Sequence, residues 1–225
     1  YQGFKAKTVR SGKLRSLGTD RDLRPLYDQM EPLKYDVVIC PHCGYAALTR
    51  FFGGLTAGQI KAIKENISAN FHPVEEEKET YTYEEALYRY KLCLANTIVK
   101  HGKVSEKAYI CLKAGWLLRS MGENLDPAVE DYNKKMQEIK EQEKDFLKNA
   151  LDGLITARQT ESYPICGMDE VTLEYLIAVL AMEFEKYDIS SRLIYNILNT
   201  PTVNNRIKDK AREVKDELLQ QMGKK

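Results

Sequence analysis

The sequence has no apolar run long enough to cross a bilayer. The longest, Leu173 to Met182, is interrupted by Glu174 and is far too short. It contains no Gly-x-Gly-x-x-Gly, no Walker loop, no Gly-x-Ser-x-Gly and no His-Glu-x-x-His, so none of the motifs that announce nucleotide, acyl-transfer or metalloprotease chemistry is present. It has no charge bias either. Lys and Arg number 34 against 33 Asp and Glu, for a net charge of +1, which removes any global attraction to nucleic acid or an anionic membrane surface. There are only three histidines and one tryptophan, and a single Cys-x-x-Cys. The five cysteines are an odd number, and Cys93, Cys111 and Cys166 stand alone among apolar neighbours. That pattern fits a reducing, cytoplasmic setting rather than a disulfide framework.

What is present is a chain of 225 residues, 43% hydrophobic and 30% charged, large enough to bury a substantial core. Its first residue is Tyr1 and no leader pattern follows, so it is expected to be a piece of a longer protein. Its composition changes near residue 55. Residues 1–34 carry Lys5, Lys7, Arg10, Lys13, Arg15, Arg21, Arg24 and Lys34 against four acidic residues, with Gly3, Gly12 and Gly18 breaking any helical period. Short strands or extended loops are expected there. Tyr35 to Ile39 is the best strand candidate in the chain.

After residue 55 the periodicity is helical. Thr56 is placed to cap a helix over about 57–70, ended by Phe71-His72-Pro73. Glu75 to Glu79 reads as a solvated linker. Thr82 with Glu85 forms a capping box ahead of Ala86, Leu87, Tyr90, Leu94 and Ile98. Further helices are expected from Ser105, from Asp126-Pro127, from Asp169 and from Asn204, with a shorter one between Tyr187 and Pro201. The fold class is therefore mainly α: antiparallel helical hairpins in a tetratricopeptide-like array, with a small N-terminal β segment of zinc-ribbon type. Residues 1–55 form a basic head, 56–80 a connecting helix and linker, and 81–225 the helical body.

The most informative stretch is Tyr35-Asp36-Val37-Val38-Ile39-Cys40-Pro41-His42-Cys43-Gly44-Tyr45. A strand delivers two cysteines three positions apart, and a glycine able to take positive φ follows at once. A turn of this kind folds both sulfurs to one side, so Cys40 and Cys43 are the candidate zinc ligands. They are half of a tetrahedral set. The other half is expected from residues ahead of Tyr1, with His42, His72 or Cys166 as alternatives. Cys-Pro-His-Cys is also a thiol-oxidase tetrapeptide, but that chemistry needs the first thiolate at a helix N-terminus within a βαβ unit. The basic head could grip nucleic-acid phosphates, although only Tyr1, Phe4 and Tyr27 there could stack on bases. Trp116 falls on a helical face with Tyr109 and Leu112 and reads as core, and no paired catalytic groups stand out.

Lys13-Leu14-Arg15, Asp20-x-Asp22-Leu23-x-Pro25, the Cys40 block through Ala47, Ala114-Gly115-Trp116-Leu117-Leu118-Arg119 and Arg206-Ile207-Lys208-x-Lys210-Ala211-Arg212 together resemble an uncharacterised bacterial family, domain of unknown function 2225. The resemblance implies a bacterial cytoplasmic protein with an earlier Cys-x-x-Cys before the basic segment, and hence zinc as a cofactor of the full-length protein. It implies no activity. The functional expectation is a non-enzymatic scaffold or adaptor whose helical body offers a groove to a protein or peptide partner, with no membrane partner. Nucleic-acid binding by the head and thiol–disulfide exchange at Cys40 and Cys43 are the alternatives.

Overall fold

Most helices begin where a short polar side chain satisfies the first free amides. The computed structural model describes residues 3–9, 12, 14–28, 30–72 and 80–223. Among them are β1 (Ser16–Thr19), β2 (Pro25–Tyr27), β3 (Val37–Ile39), β4 (Ala46–Leu48), α1 (Ala57–Asn66), α2 (Tyr83–Val99), α3 (Val104–Glu123), α4 (Tyr132–Thr160), α5 (Glu170–Glu183), α6 (Tyr187–Asn199) and α7 (Asn205–Met222). Arg10, Lys13, Pro73 and Glu75 to Glu79 lie outside the described residues. Thr56 and Gln59 form a reciprocal capping box on α1, and Thr82 and Glu85 form one on α2. Asp169 accepts from the Thr172 amide at 2.8 Å, and Asn204 accepts from that of Ile207 at 3.0 Å. The chain is mainly helical with two small two-stranded antiparallel sheets, β1–β2 and β3–β4. Among the described residues no helix is long and apolar enough to cross a membrane.

Two boundaries differ from those the sequence predicts. Helix α1 stops at Asn66, and residues 68–70 form a single 3-10 turn. The long helix starts at Tyr132, not at Asp126-Pro127. The Asp126 carboxylate accepts from the Ala128 amide at 2.9 Å, and its carbonyl accepts from Val129 at 3.0 Å. Asp at the first position and Pro at the second suit a tight turn as well as a helix start, and here the turn wins. Asp131 then takes a left-handed conformation (φ 57°) before α4 begins.

Helix α5 is apolar on every side, and Leu173 through Met182 are all buried. Its one buried carboxylate, Glu174, pairs with Arg158 of α4. The longest packed pair is α3 with α4. A Cβ on Gly115 would fall 2.6 Å from Leu147, and one on Gly153 would fall 2.7 Å from that of Ala108. Bare backbone at both positions lets these helices approach closely.

The second sheet packs on α2 and contributes Val37, Ala46 and Leu48 to the main core. Along β4, Ala46 and Leu48 join the main core with α2 to α7, while Tyr45 and Ala47 on the other face form a smaller core with Ile63 of α1. The strand period of two divides one short strand between two cores. The head is also bound to the body by polar contacts. The Tyr90 hydroxyl donates to the Leu33 carbonyl at 3.0 Å, Arg89 donates to the Val37 carbonyl, and Lys113 pairs with Asp36. The β1–β2 hairpin lies on α3, where Asp22 meets Trp116 and Arg119 and Arg24 meets Glu123. It also reaches α7, pairing Arg21 with Glu217 and bonding Thr19 to Lys210. The chain's own hairpin thus covers part of α3 and α7.

Candidate metal centre

Strands β3 and β4 pair with Val37 opposite Leu48, Val38 opposite Ala47 and Ile39 opposite Ala46. Residues 40–45 close the hairpin. The Cys40 amide donates to the Tyr45 carbonyl at 2.8 Å, and the Gly44 amide donates back to Cys40 at 3.0 Å. Gly44 takes φ +70°, which the turn requires and which an L side chain resists. Both cysteines are half-buried, with free thiols, and sit against the small Tyr45 core. Burial pushes the Cys43 thiol up, and the adjacent Cys40 pushes the same way.

The turn is clamped from behind by residues that its own sequence does not name. Asn96 of α2 is fully buried, and its amide donates to the Gly44 carbonyl at 3.0 Å and to Leu92 at 2.9 Å. Ser68 donates to the Cys43 carbonyl at 2.7 Å. The Phe71 ring covers the space where Gly44 lacks a side chain. These contacts span 52 and 25 residues, so no local signal points to them.

Gly44→Ala is accordingly expected to lower the unfolding free energy by about 2–3 kcal/mol. The left-handed backbone accounts for about 1–2 kcal/mol. The rest comes from a Cβ placed 2.5–2.9 Å from the Phe71 ring and its own Cβ. Gly54→Ala is the control: its φ is +64° but nothing lies within 4 Å, so it should cost only the backbone share. Urea titrations of the two variants that gave equal losses would remove the Phe71 clamp from the account.

Among the described residues no group of three or more His, Cys, Asp or Glu converges as a metal site. His42 and His72 are solvent-exposed, and Cys166 lies elsewhere, with its thiol on the Ser105 carbonyl at 3.3 Å. Two of four donors therefore suit zinc in type and spacing, and the described residues do not supply the rest. The thiol-oxidase geometry is not what this hairpin makes, since Cys40 ends a strand and β4 rather than a helix follows Cys43.

Much of the head's positive charge is spent internally. Arg21 and Arg24 are in ion pairs, Lys34 stands 3.7 Å from the Tyr83 ring centre, and Lys7 stands 4.6 Å from that of Tyr81. Lys5 and Arg15 remain exposed. Trp116 is core, as its spacing predicts, with its indole N–H bonded to Asp22.

Compared with known proteins, the chain matches one family model, described as an uncharacterised protein conserved in bacteria (DUF2225), over residues 1–218. No curated protein and no solved structure matches it.

Proposed function

The chain belongs to this uncharacterised bacterial family, and from that premise we propose that it is a non-enzymatic scaffold or adaptor, a zinc-ribbon-like head on a tetratricopeptide-like helical body that binds a protein or peptide partner. The observation that carries the reading is the rigid Cys40–Gly44 turn, held by Asn96, Ser68 and Phe71 with both thiols side by side. Such fixity suits a structural ion better than a nucleophile that must move. Cys40 and Cys43 would supply two thiolates, and two further ligands would come from outside the described residues. Bound zinc would serve there as a cross-link that holds the head together.

The body supports the adaptor half. Helix α5 packs on α6, α6 on α7 and α7 back on α5, contacts that a stack of helical repeats would also make. With the β1–β2 hairpin seated on α3 and α7, a partner is left the outer surfaces. There Tyr195 of α6 and Leu219 and Met222 of α7 are exposed large apolar side chains.

Two measurements on the natural full-length protein test the two halves separately. Purified in reducing, chelator-free buffer it should carry about one zinc per chain, lost in Cys40→Ser and Cys43→Ser. Metal-free protein removes the zinc-ribbon reading. Cross-linking capture should recover the same protein with the wild type and lose it with Tyr195→Glu plus Leu219→Glu. Equal recovery, or none, removes this surface as the partner site.

A further inference from the structure

Three segments meet around a cleft of about 240 Å³: the turn of the β1–β2 hairpin at Thr19 and Leu23, the first turns of α5 at Thr172 and Tyr175, and the start of α7 from Asn204 to Lys210. That volume falls just below the range of drug-sized sites, so it suits a ligand of a few carbons. Leu23, Ile207 and the Tyr175 ring give it an apolar side.

Its charge is of one sign. Arg206 and Lys210 line the cleft, and no carboxylate does. Lys210 donates to the Thr19 hydroxyl at 3.0 Å, and Arg206 has no side-chain partner among the described residues. The carboxylates of this region stand behind the wall. Asp22 answers Trp116 and Arg119, Glu217 answers Arg21, and Glu213 lies exposed one turn beyond Lys210. The polar groups left over on the wall are donors. Thr19 has spent its oxygen on Lys210, and Asn204 has spent its own on the Ile207 amide at 3.0 Å. The first amides of α7 add the positive end of the helix dipole at the same place.

A second, independent observation comes from α5. Tyr175 lines the cleft and is only 2% exposed. Its hydroxyl makes no hydrogen bond among the described residues, and Arg21, Glu213, Asp22 and Glu217 act on it through charge alone. The side-chain polar atoms sealed from solvent without a partner belong to Tyr45, Asn96 and Tyr163. The Tyr175 hydroxyl is not one of them, so the trace of surface that this residue keeps at the cleft includes its O–H. A donor held in a nearly closed wall without a partner costs stability, and it points to an acceptor that the cleft admits.

We propose that this cleft binds a small organic oxyanion, its charged end set against Arg206 and Lys210, its apolar part against Leu23 and Ile207, and the Tyr175 hydroxyl donating to it. A wall whose unspent groups are N–H and O–H selects a ligand that only accepts. The site lies apart from the Cys40 turn and depends on neither zinc nor a protein partner, so its failure leaves the proposed function standing.

The test is an amide NMR titration of the whole chain with butyrate and butyl phosphate, with 1-butanol and inorganic phosphate as fragments. Saturable shifts are expected at Leu23, Tyr175, Asn205, Arg206 and Ile207 with at least one of the two organic anions, and weaker binding by either fragment. Whichever anion binds more tightly assigns carboxylate or phosphate chemistry. Arg206→Gln with Lys210→Gln should weaken that binding by about tenfold or more, and Tyr175→Phe, which keeps the ring and removes only the hydroxyl, by about fivefold. Arg206→Gln alone removes a side chain that holds nothing in place, so its own loss of affinity, about fivefold, cannot come from misfolding. Absence of saturable shifts at those amides, butanol binding as tightly as the anions, or full affinity in Arg206→Gln or in Tyr175→Phe would each overturn the proposal.

Discussion

Asp22→Ala is expected to lower the unfolding free energy by about 3 kcal/mol, the loss typical when one partner of a buried charge network is deleted. Asp22 is 3% exposed, and its carboxylate accepts from Trp116 Nε1 and from Arg119 Nη1, both at 2.9 Å. Without it the indole N–H has no partner in the core, and the guanidinium keeps only Glu143 at 2.7 Å and a longer contact to Asp20 at 3.5 Å. The neighbouring Arg24 shows how tightly the network is drawn. Burial alone would lower its pKa, yet hydrogen bonds to Glu123 and Asp20 more than reverse that and leave it raised. Asp22→Asn keeps an acceptor for Trp116 while removing the charge, so it should cost about half as much. Urea unfolding of the two variants measures the difference. A loss below about 1 kcal/mol for the alanine variant would mean that the hairpin is not a structural part of the body.

Raising the pH from 8 to 11 is expected to remove about 5 kcal/mol of stability through two buried thiols. Burial pushes Cys93 from 9.0 up to about 12 and Cys111 from 9.0 up to about 11. Both folded values lie above the unfolded one. Their contribution is therefore complete below pH 9 and is lost as pH rises, because the unfolded chain releases protons that the folded chain keeps. Each thiol contributes a slope of about 1.4 kcal/mol per pH unit between 9 and its folded pKa. Tyr83 and Tyr175, pushed from 10.0 to about 12 by burial, steepen the decline above pH 10. Denaturant midpoints at pH 8, 10 and 11 check it, and Cys93→Ala should remove roughly half of the thiol share of the slope. A flat stability profile over that range would contradict the burial of both thiols.

Local chemistry accounts for what could be read in advance. Thr82 finds Glu85, Asp169 finds the Thr172 amide and Asn204 finds the Ile207 amide, each three residues on, so those helix starts are written within a few positions of text. The α5 core and the Cys40–Cys43 pair are legible for the same reason. The false start at Asp126 is also local: the same two residues satisfy a turn or a helix, and only the chain beyond them decides. The cleft at Leu23, Tyr175 and Arg206 left no trace in the sequence, since its walls come from three separate segments.

The sequence by itself determined that the chain is mostly helix, where most helices start, and that two thiols are presented on one turn, because backbone hydrogen bonds and hydrophobic periods act over three to seven residues. Only the tertiary structure decided that Asn96, Ser68 and Phe71 lock that turn, that Asp22 is buried against Trp116, and that Glu161 accepts from the Ser105 amide in the first turn of α3. Those pairs stand 25 to 94 residues apart, and what brings them together is the burial of one shared core, which no local pattern encodes.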